Sequence, residues 1–436
     1  MTAGRTARRV VVTGVGAVAA GGIGREAFWR RIVGGRPAIR RITRFDPSRY
    51  RSRIAAEVDF DPVAAGLTPR ETRRNSRFAQ FALAAAAEAL ADSGVRTQDE
   101  DGDRVGVCLG TAVGATAAPR DEAAVAPAAC AGPGRHAEAA ADDAMPSVHR
   151  ATHPSSAAAE LSLRHGLHGP SSVVSTGCTS GVDAIGCAFR TLSDGEADVM
   201  LAGAAEAPIS PVTAACFDAI GATTAFTGDP ALTPAPFDAR RDGFVLGEGG
   251  AMLVLEELGH ARARGASVYC EVRGWDNRTG AYHMTGLRPD GYDLSEAIIS
   301  AMSEAAIVPE QLDWISAHGA GTVQGDRYET AAYKRALGEY ASKVPVSSVK
   351  SVIGHCLGAA GALEMAACAL AVRRGVIPPT ANLLRPDPRC DLDYTPVLAR
   401  ERRVRHALSV SCGLGGFHSA MVFSALETDE EREAGA

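Results

Sequence analysis

The chain has 436 residues, of which 46% are hydrophobic and 22% are charged, and its formal net charge is −6. This charge argues against nucleic acid or an anionic membrane surface as the main partner. No apolar run approaches the roughly 18 to 20 residues of a membrane span, and the length allows one large core or two fused ones. We therefore expect a cytoplasmic protein.

Strand-like apolar runs alternate with alanine-rich helical runs in the first part of the chain. RRVVVTGVG is typical of a strand, and FAQFALAAAAEALADSG is typical of a helix that ends at Gly94. RVGVCLG, ADVMLAGAAE and AMLVLEE are further strand patterns. The alternation predicts an α/β half over residues 8–258.

The first strand pattern leads into Gly14, Gly16 and Ala19, which match the GxGxxA turn of dinucleotide-binding domains. That fingerprint also needs an acidic residue about 20 residues further on, at the end of the second strand. The corresponding stretch, RRIVGGRPAIRR, contains no carboxylate. We interpret the glycines as a tight turn after the first strand and not as a nucleotide site.

A second alternating series begins near residue 259. Its patterns are VYCEVRGW, LSEAIISAMSEAA and LDWISAHG, then helices near 328–338 and 361–373, then TPVLARE and HALSVSCGLGGFHSAMVFSAL. Two successive halves of similar size predict a duplicated, layered α/β fold, with the second half at 259–424. Residues 111–150 are expected to form a surface excursion or lid, and residues 425–436 a disordered tail.

Cys178 stands out among ten scattered cysteines, which show neither zinc-site spacing nor a secreted disulfide framework and are otherwise expected to be reduced, buried thiols. The stretch VVSTGCTSGVDAIG places Cys178 between a β-prone run and a helical pattern. At such a turn the helix dipole would lower the thiol pKa, and the small neighbours would admit a substrate carbonyl. The motif alone leaves two interpretations open, a nucleophile and a packed structural cysteine.

Two histidines also lie in glycine-rich turns. His318 in AHGAGT follows the strand pattern LDWIS, and His355 in SVKSVIGHCLGAAGALE precedes a helix start. A lone histidine is more often structural, but these two turns together with the turn at Cys178 indicate a reaction site. Metal binding by the three side chains stays open, although no fourth ligand is evident.

Further charged residues accompany the histidines. Asp326 and Glu329 lie in GDRYET, and Lys350 precedes His355 by five positions. A carboxylate and an amine in such a site would orient the imidazoles and stabilise charge. The alternative is an ion pair at the surface.

Together these stretches resemble a β-ketoacyl synthase of the thiolase fold, and they are most similar to the ketosynthase-α subunit of bacterial type II (aromatic) polyketide synthases. The resemblance rests on STGCTSGVDAIG, PFDARRDGFVLGEGGAMLVLE, AYHMTGLRPDG, AHGAGTVQGDRYETAAYKRALGE, SSVKSVIGHCLGAAG, PPTANL and GGFHSAMV, which run from about residue 8 to 424. It implies a thiolase-like fold of two duplicated α/β halves in αβαβα layers, and an acyltransferase that extends an acyl chain with malonyl units.

The resemblance implies a role for each residue of the reaction site. Cys178 would accept the acyl chain, and His318 and His355 would surround the malonyl carboxylate and thioester. Lys350 and Glu329 would form a supporting ion pair, with Asp326 nearby.

An oxyanion hole is implied at the backbone amides of Cys178 and Leu414. Similar enzymes usually have a gating phenylalanine at the second position, so we expect Leu414 to change the gate. The alanine-rich segment 111–150 also departs from relatives, which carry bulkier residues at this subunit interface and pocket edge.

The implied partners are an acidic acyl carrier protein, whose phosphopantetheine arm brings the substrates, and a chain-length-factor subunit in a heterodimer. No bound cofactor, metal or nucleic acid is implied. PRETRRNSR offers Arg70, Arg73, Arg74 and Arg77 where the family docks its carrier protein, and the alternative is an ordinary solvated helix face.

Other functions of the same fold stay open as alternatives. One is a homodimeric condensing enzyme of the fatty-acid type, or an enzyme that assembles starter units. A non-catalytic scaffold subunit would usually carry glutamine in place of Cys178, and a degradative thiolase would need a second catalytic cysteine, for which Cys412 is the one candidate.

Overall fold

The computed structural model describes residues 8–114 and 153–427. The predicted lid at 111–150 lies outside these ranges from position 115, and the predicted tail at 425–436 lies outside them from position 428. In the described ranges, no helix is both long and apolar enough to cross a membrane.

The described residues form strands and helices that alternate along both parts of the chain. The strands are β1 (Val10–Ala19), β2 (Gly22–Ile23), β3 (Arg40–Arg41), β4 (Ile54–Ala56), β5 (Val105–Gly110), β6 (Ser171–Val174), β7 (Val199–Glu206), β8 (Leu246–Gly247), β9 (Gly249–Glu257), β10 (Cys270–Thr279), β11 (Trp314–Ser316), β12 (Val346–Ser347), β13 (Val376–Ile377), β14 (Arg400–Glu401), β15 (His406–Gly413) and β16 (Phe417–Ser424). The helices are α1 (Arg25–Val33), α2 (Pro69–Arg74), α3 (Arg77–Ser93), α4 (Ser155–His165), α5 (Ser180–Ser193), α6 (Pro211–Ala219), α7 (Leu258–Ala263), α8 (Tyr292–Glu304), α9 (Val323–Leu337), α10 (Lys350–Ile353) and α11 (Ala360–Arg374).

One large sheet contains two half-sheets of the same topology. The first has the order β6-β5-β7-β9-β1, and the second has the order β12-β11-β15-β16-β10. When the strands of each half are numbered in chain order, both halves read 3-2-4-5-1. In both, the third, second and fourth strands are parallel, and the remaining pairs are antiparallel. The halves join where β1 pairs antiparallel with β10. This repetition confirms the predicted duplicated fold.

Helices cover the half-sheets in layers. α3 and α4 pack on the outer face of the first half-sheet, and α8 and α9 lie on the outer side of the second. α5 and α11 contact each other and the inner faces of both half-sheets. The residues of α11 from Ala360 to Ala371 are all buried, as expected for a helix with sheets on both sides. The result is the predicted αβαβα arrangement.

The glycines of the GxGxxA match lie inside β1, so their interpretation as a tight turn after the strand was wrong. A Cβ atom at Gly14 would lie 2.1 Å from the carbonyl oxygen of Ala89, and one at Gly16 would lie 1.9 Å from that of Ala85. Both carbonyls belong to α3. The glycines therefore allow a helix backbone to approach the strand closely.

Most other predicted elements are present. The predicted helix over 78–94 is α3, and it ends at Gly94, whose φ of 70° is the left-handed conformation that favours glycine at this position. The pattern TPVLARE contributes only the two-residue strand β14, because Thr395 and Val397 have positive φ angles of 46° and 63°, which are incompatible with a regular strand.

Candidate active site

Cys178 lies where the structure passes from the edge strand β6 to the central helix α5. A single 3₁₀ turn, Gly177–Thr179, connects the two, and Gly177 has a φ of 63°. Ser180 fixes the turn, because its hydroxyl donates to the carbonyl of Gly177 (2.6 Å) and accepts from the amide of Thr176 (3.0 Å). Ser411 on β15 donates to the carbonyl of Cys178 at 3.1 Å. The second half-sheet thus helps to position the thiol.

The acidity of the Cys178 thiol differs from the prediction. Burial raises its pKa to about 11, and the nearby Lys350 ammonium and a hydrogen bond from the backbone amide of Leu414 only partly oppose this effect. The prediction that the helix dipole lowers the thiol pKa is therefore wrong. The loss of water around the sulfur raises the pKa by more than the favourable interactions lower it. At neutral pH the group is a thiol, so its proton must leave when the sulfur attacks.

This pKa predicts how Cys178 reacts with iodoacetamide. Only the thiolate is alkylated, so the rate at Cys178 should rise about tenfold per pH unit from pH 7 to pH 9.5. Mass spectrometry of the Cys178 peptide separates its rate from that of the exposed thiol of Cys216, which serves as the reference. A rate at Cys178 that levels off below pH 8 would contradict the raised pKa.

His318 lies directly after β11, in a loop that a buried carboxylate holds. Glu329 on α9 accepts hydrogen bonds from the backbone amides of His318 (2.6 Å) and Gly319 (2.8 Å), and Tyr333 also donates to it. Burial raises the pKa of Glu329 to about 7. The His318 Nδ1 atom is 3.5 Å from the hydroxyl of Ser411, the residue that also contacts the Cys178 carbonyl. Glu329 therefore positions the loop of His318.

His355 comes from the other side of the same site. Its amide donates to the carbonyl of Val245 at 2.7 Å, and its carbonyl accepts from the amide of Gly247 at 2.9 Å. The rings of His318 and His355 have centroids 5.2 Å apart and are nearly perpendicular, at 85°. The edge of Phe244 packs against His355, also at 5.2 Å. His355 Nδ1 is buried without a hydrogen-bond partner among the described residues.

Both imidazoles are neutral at physiological pH. Burial lowers the pKa of His318 well below its usual value, and the positive charge of Lys350 lowers it further. The same two causes, in the same order, lower the pKa of His355. Each ring therefore has one N–H donor and one acceptor nitrogen.

Lys350 is completely buried, but its partner is not the predicted one. Its ammonium group pairs with Glu364 on α11, while Glu329 accepts from backbone amides and Tyr333. The predicted Lys350–Glu329 ion pair is thus wrong. Glu364 lies on the buried face of α11, where its carboxylate meets the Lys350 ammonium, whereas the hydrogen bonds of Glu329 go to the loop of His318. Burial raises the pKa of Glu364 to about 7.

Asp326 belongs to a network of hydrogen bonds and ion pairs beside the site. Its partners among the described residues do not include Cys178, His318 or His355. Its carboxylate accepts from the amides of Phe237 (2.7 Å) and Gly321 (3.1 Å). The buried guanidinium of Arg241 lies 3.1 Å from Asp326 and 3.0 Å from Asp387. This network fixes the loop between His318 and α9.

The thiol of Cys178 and the imidazoles of His318 and His355 meet in a cavity of about 570 Å³. Its lining includes Cys178, Phe244, His318, His355, Cys412 and Leu414. Leu414 is 42% exposed and lies in the turn between β15 and β16. Within the described part of the chain, no group of three histidine, cysteine or acidic side chains is arranged to hold a metal ion.

Comparison with known proteins identifies the family of a chain with this site. Residues 7–261 match the β-ketoacyl synthase N-terminal domain, and residues 269–384 match the β-ketoacyl synthase C-terminal domain. The chain belongs to the β-ketoacyl synthase family. It is 52% identical over 418 residues to the tetracenomycin polyketide synthase ketoacyl synthase alpha subunit of Streptomyces glaucescens, covering 96% of this synthase and 97% of that protein.

Two solved structures resemble this synthase over nearly its whole length. One is a type II polyketide synthase acyl carrier protein in complex with its ketosynthase bound to the hexaketide, with a TM-score of 0.87, 36% identity, and coverage of 97% of this chain and 100% of that chain. The other is the ishigamide ketosynthase/chain length factor, with a TM-score of 0.84, 32% identity, and coverage of 97% and 100%. The family resemblance and the fold expected from the sequence are both confirmed.

The arginines predicted to dock a carrier protein divide into two groups in this synthase. Arg70 and Arg73 on α2 are exposed, and Arg74 is half-buried. Arg77 begins α3 and turns inwards, where it makes a bidentate pair with the buried carboxylate of Glu248. Arg77 is therefore structural, because that carboxylate would otherwise be buried without a counter-charge.

Sequence reasoning missed two polar residues that hold the synthase's site together. Glu364 is the one acidic residue in the apolar run GALEMAACALA, which is a signal of a buried charge that needs a partner. Ser411 links the Cys178 carbonyl to the ring of His318, and no local pattern marks it because serines are frequent in strands near the surface.

Proposed function

We propose that this β-ketoacyl synthase is the catalytic ketosynthase of a type II polyketide synthase. It forms carbon–carbon bonds by decarboxylative condensation of malonyl-acyl carrier protein with an acyl chain held on Cys178. The observation that carries the proposal is the convergence of the Cys178 thiol and two neutral imidazoles on a single cavity. The identity to a ketoacyl synthase alpha subunit supports the same function.

Acyl loading begins when the Cys178 sulfur attacks the thioester carbonyl of an acyl group on a phosphopantetheine arm. The thiol proton passes to a neutral imidazole, and then to the departing pantetheine sulfur as the old thioester bond breaks. Negative charge develops on the carbonyl oxygen during the attack. The amides of Cys178 and Leu414 stabilise this charge, and the hydrogen bond from the Leu414 amide to the thiol supports the assignment because it places that amide next to the sulfur.

Condensation follows when malonyl-acyl carrier protein replaces the carrier protein that has delivered its acyl group to Cys178. When CO2 leaves, the electron pair of the broken carbon–carbon bond forms an enolate. The N–H groups of His318 and His355 stabilise the enolate oxygen. Neutral imidazoles suit this role because each retains one N–H donor without a full charge in the cavity. The enolate carbon then attacks the Cys178 thioester and forms the new carbon–carbon bond. The carbon–sulfur bond breaks, and the Cys178 thiolate takes up a proton from water.

The supporting residues act through the positions of the histidines. Glu329 orients the backbone of His318, Asp326 holds the following loop, and the Lys350–Glu364 pair supplies a positive charge whose field reaches both rings. Leu414 gates the mouth in place of a larger ring. When the turn between β15 and β16 has the same position, a smaller side chain at 414 lets a bulkier acyl group pass.

The proposed partners are an acidic acyl carrier protein and a chain-length-factor subunit, because the two similar structures contain such proteins with their ketosynthases. The edge strand β6 is a suitable contact for a second subunit. Its outer edge has no neighbouring strand among the described residues, and Leu163 beside it on α4 is 80% exposed. We propose a cytoplasmic location for the assembly.

The proposal is tested by incubating the purified protein with acyl-loaded carrier protein and measuring peptide masses. We expect the peptide that contains Cys178 to gain the mass of the acyl group and the peptides with other cysteines to remain unchanged. Acylation only after co-expression with a chain-length-factor subunit would make the heterodimer the active species. No acylation in either preparation would contradict the catalytic function and favour a scaffold.

A further inference from the structure

Glu206 is a completely buried carboxylate that takes no direct part in the proposed reaction steps. It is the last residue of β7, the middle strand of the first half-sheet. Its two oxygens accept five hydrogen bonds from described residues, and every one of these donors is uncharged. A buried carboxylate is costly unless its hydrogen bonds are made, so this set of donors fixes the surrounding backbone.

Four of the five hydrogen bonds come from the segment that follows β5. The Oε1 atom of Glu206 accepts from the hydroxyl of Thr111 (2.9 Å) and from the amides of Val113 (3.3 Å) and Gly114 (3.1 Å). Its Oε2 atom accepts from the amide of Ala112 at 2.6 Å. One carboxylate therefore fixes the path of the chain where it leaves β5.

This segment in turn supports the turn that contains Cys178. The hydroxyl of Ser180, which fixes that turn, also donates to the carbonyl of Thr111 at 3.2 Å. Ala112 packs in the same apolar cluster as Cys178 and Leu357. A shift of the segment would therefore be transmitted to the nucleophile.

The fifth hydrogen bond comes from the second half of the chain. The amide of Gly358 donates to Oε2 of Glu206 at 3.2 Å. Gly358 lies in a 3₁₀ turn, three residues after His355. A Cβ atom at Gly358 would lie 2.4 Å from the amide nitrogen of Ala112, so the two backbones come this close because the residue is glycine. Oε2 thus joins the segment beside Cys178 to the turn that follows His355.

The two imidazoles have other supports of their own. The backbone of His355 is bonded to Val245 and Gly247, and that of His318 is bonded to Glu329. The arrangement of the two rings relative to each other therefore does not depend on Glu206. The position of the Cys178 turn relative to the rings does.

We propose that Glu206 is a positioning residue that keeps the thioester on Cys178 in line with the enolate beside the histidines. This inference rests on the proposed function, and it concerns the step in which decarboxylation leads to carbon–carbon bond formation. The two reacting carbons must come within about 3 to 3.5 Å, and a displacement of about 1 Å can lower the rate on the order of 10²-fold.

The test variant is E206Q, which keeps the shape of the side chain but replaces one carboxylate oxygen with an NH2 group that cannot accept. When the remaining oxygen keeps the three donors of Oε1, the amides of Ala112 and Gly358 lose their acceptor. The bond between the two halves is then broken.

The matched control is E57Q, which makes the same change in charge at another buried carboxylate. Glu57 accepts from the amides of Thr43 and Arg44, from the hydroxyl of Thr43 and from Arg40. Neither Glu57 nor these partners line the active-site cavity.

The main measurement is the ratio of CO2 released to β-ketoacyl product formed when acyl-loaded enzyme reacts with malonyl-acyl carrier protein. For E206Q we expect this ratio to rise about tenfold or more, because enolate that misses the thioester takes up a proton and leaves as acetyl-acyl carrier protein. Acyl loading of Cys178 should stay within about threefold of the wild type. E57Q should keep the wild-type ratio.

A second measurement needs no acyl substrate. Burial is the main cause of the raised pKa of the Cys178 thiol, and the charge of Glu206 adds to it. Removal of this charge favours the thiolate, so at about pH 8.5 iodoacetamide should alkylate Cys178 about threefold or more faster in E206Q than in the wild type or E57Q. Burial raises the pKa of Glu206 to about 7, so its carboxylate is ionised at this pH.

T111V separates the charge of Glu206 from its hydrogen bonds, because it removes one donor and leaves the carboxylate in place. We expect a smaller rise in the ratio of CO2 to product and an unchanged alkylation rate. This variant also provides the decisive ratio if thermal unfolding shows that E206Q is not folded.

Other outcomes overturn the positioning role or the proposed function. A wild-type ratio in folded E206Q, or in T111V when E206Q is unfolded, would overturn positioning by Glu206. Equal losses of acyl loading and condensation in E206Q would show a merely structural carboxylate and would overturn it as well. A wild-type enzyme that neither acquires an acyl group on Cys178 nor releases CO2 would overturn the proposed function, and this inference with it.

Discussion

Replacement of Cys178 with alanine is expected to lower acyl transfer and chain extension by a factor on the order of 10⁴ to 10⁶, because it removes the sulfur that forms the thioester. Malonyl decarboxylation should persist, since both imidazoles remain to stabilise the enolate. The measurements are release of labelled CO2 from malonyl-acyl carrier protein, and the mass of the peptide that contains position 178 in the wild type and in the variant after incubation with acyl-loaded carrier protein.

Cys412→Ala is the matched control for this variant, because Cys412 is the other cysteine that lines the cavity. Burial raises the pKa of Cys412 well above its usual value, and Cys412 lies inside β15 and not in a turn before a helix as Cys178 does. Cys412→Ala should retain acyl loading on Cys178. Loss of all turnover in Cys412→Ala, with the protein still folded, would instead favour the two-cysteine chemistry of a thiolase.

The second large effect is expected for the histidines. His318→Ala and His355→Ala should each lower the rate of condensation by about 10² to 10³, the usual loss when one donor to a developing oxyanion is removed. Acyl loading should fall less, because the amides of Cys178 and Leu414 still stabilise its transition state. Single-turnover experiments separate the steps, with acyl-enzyme followed by mass and condensation followed by product.

His168→Ala provides a control, since this histidine is exposed on the surface between α4 and β6. Circular dichroism and thermal unfolding establish whether each variant is folded. If either of the two cavity variants extends acyl chains at the wild-type rate, the donor role assigned to that histidine is wrong.

Much of the architecture could be predicted because it depends on local patterns. The strands around Val10 and Val105 are continuous apolar runs, as buried strands require, and α3 ends at a glycine with the expected left-handed conformation. The three turns that contain Cys178, His318 and His355 were recognisable by their small residues. Their convergence on one cavity supports the predicted site.

The remaining features depend on contacts between distant parts of the chain. The thiol pKa is set by how completely the fold excludes water from Cys178, which a local motif does not reveal. Lys350 could be assigned to the site, but its pairing with Glu364 and not with Glu329 is a tertiary contact that no local pattern indicates. Gly14 and Gly16 match a turn motif, but in the structure they lie in β1 and let the backbone of α3 approach this strand closely.

The repeated strand order has a consequence for how the reaction is divided between the halves. In each half a 3₁₀ turn lies between the third strand and a central helix: Gly177–Thr179 precedes α5, and Leu357–Ala359, which follows the short helix α10, precedes α11. Cys178 lies inside the first of these turns, whereas His355 lies two residues before the second, so the two halves bring their side chains to the cavity from similar junctions but not from the same position. The first half carries the thiol and the second half carries both imidazoles, so neither half alone holds the three side chains that meet in the cavity.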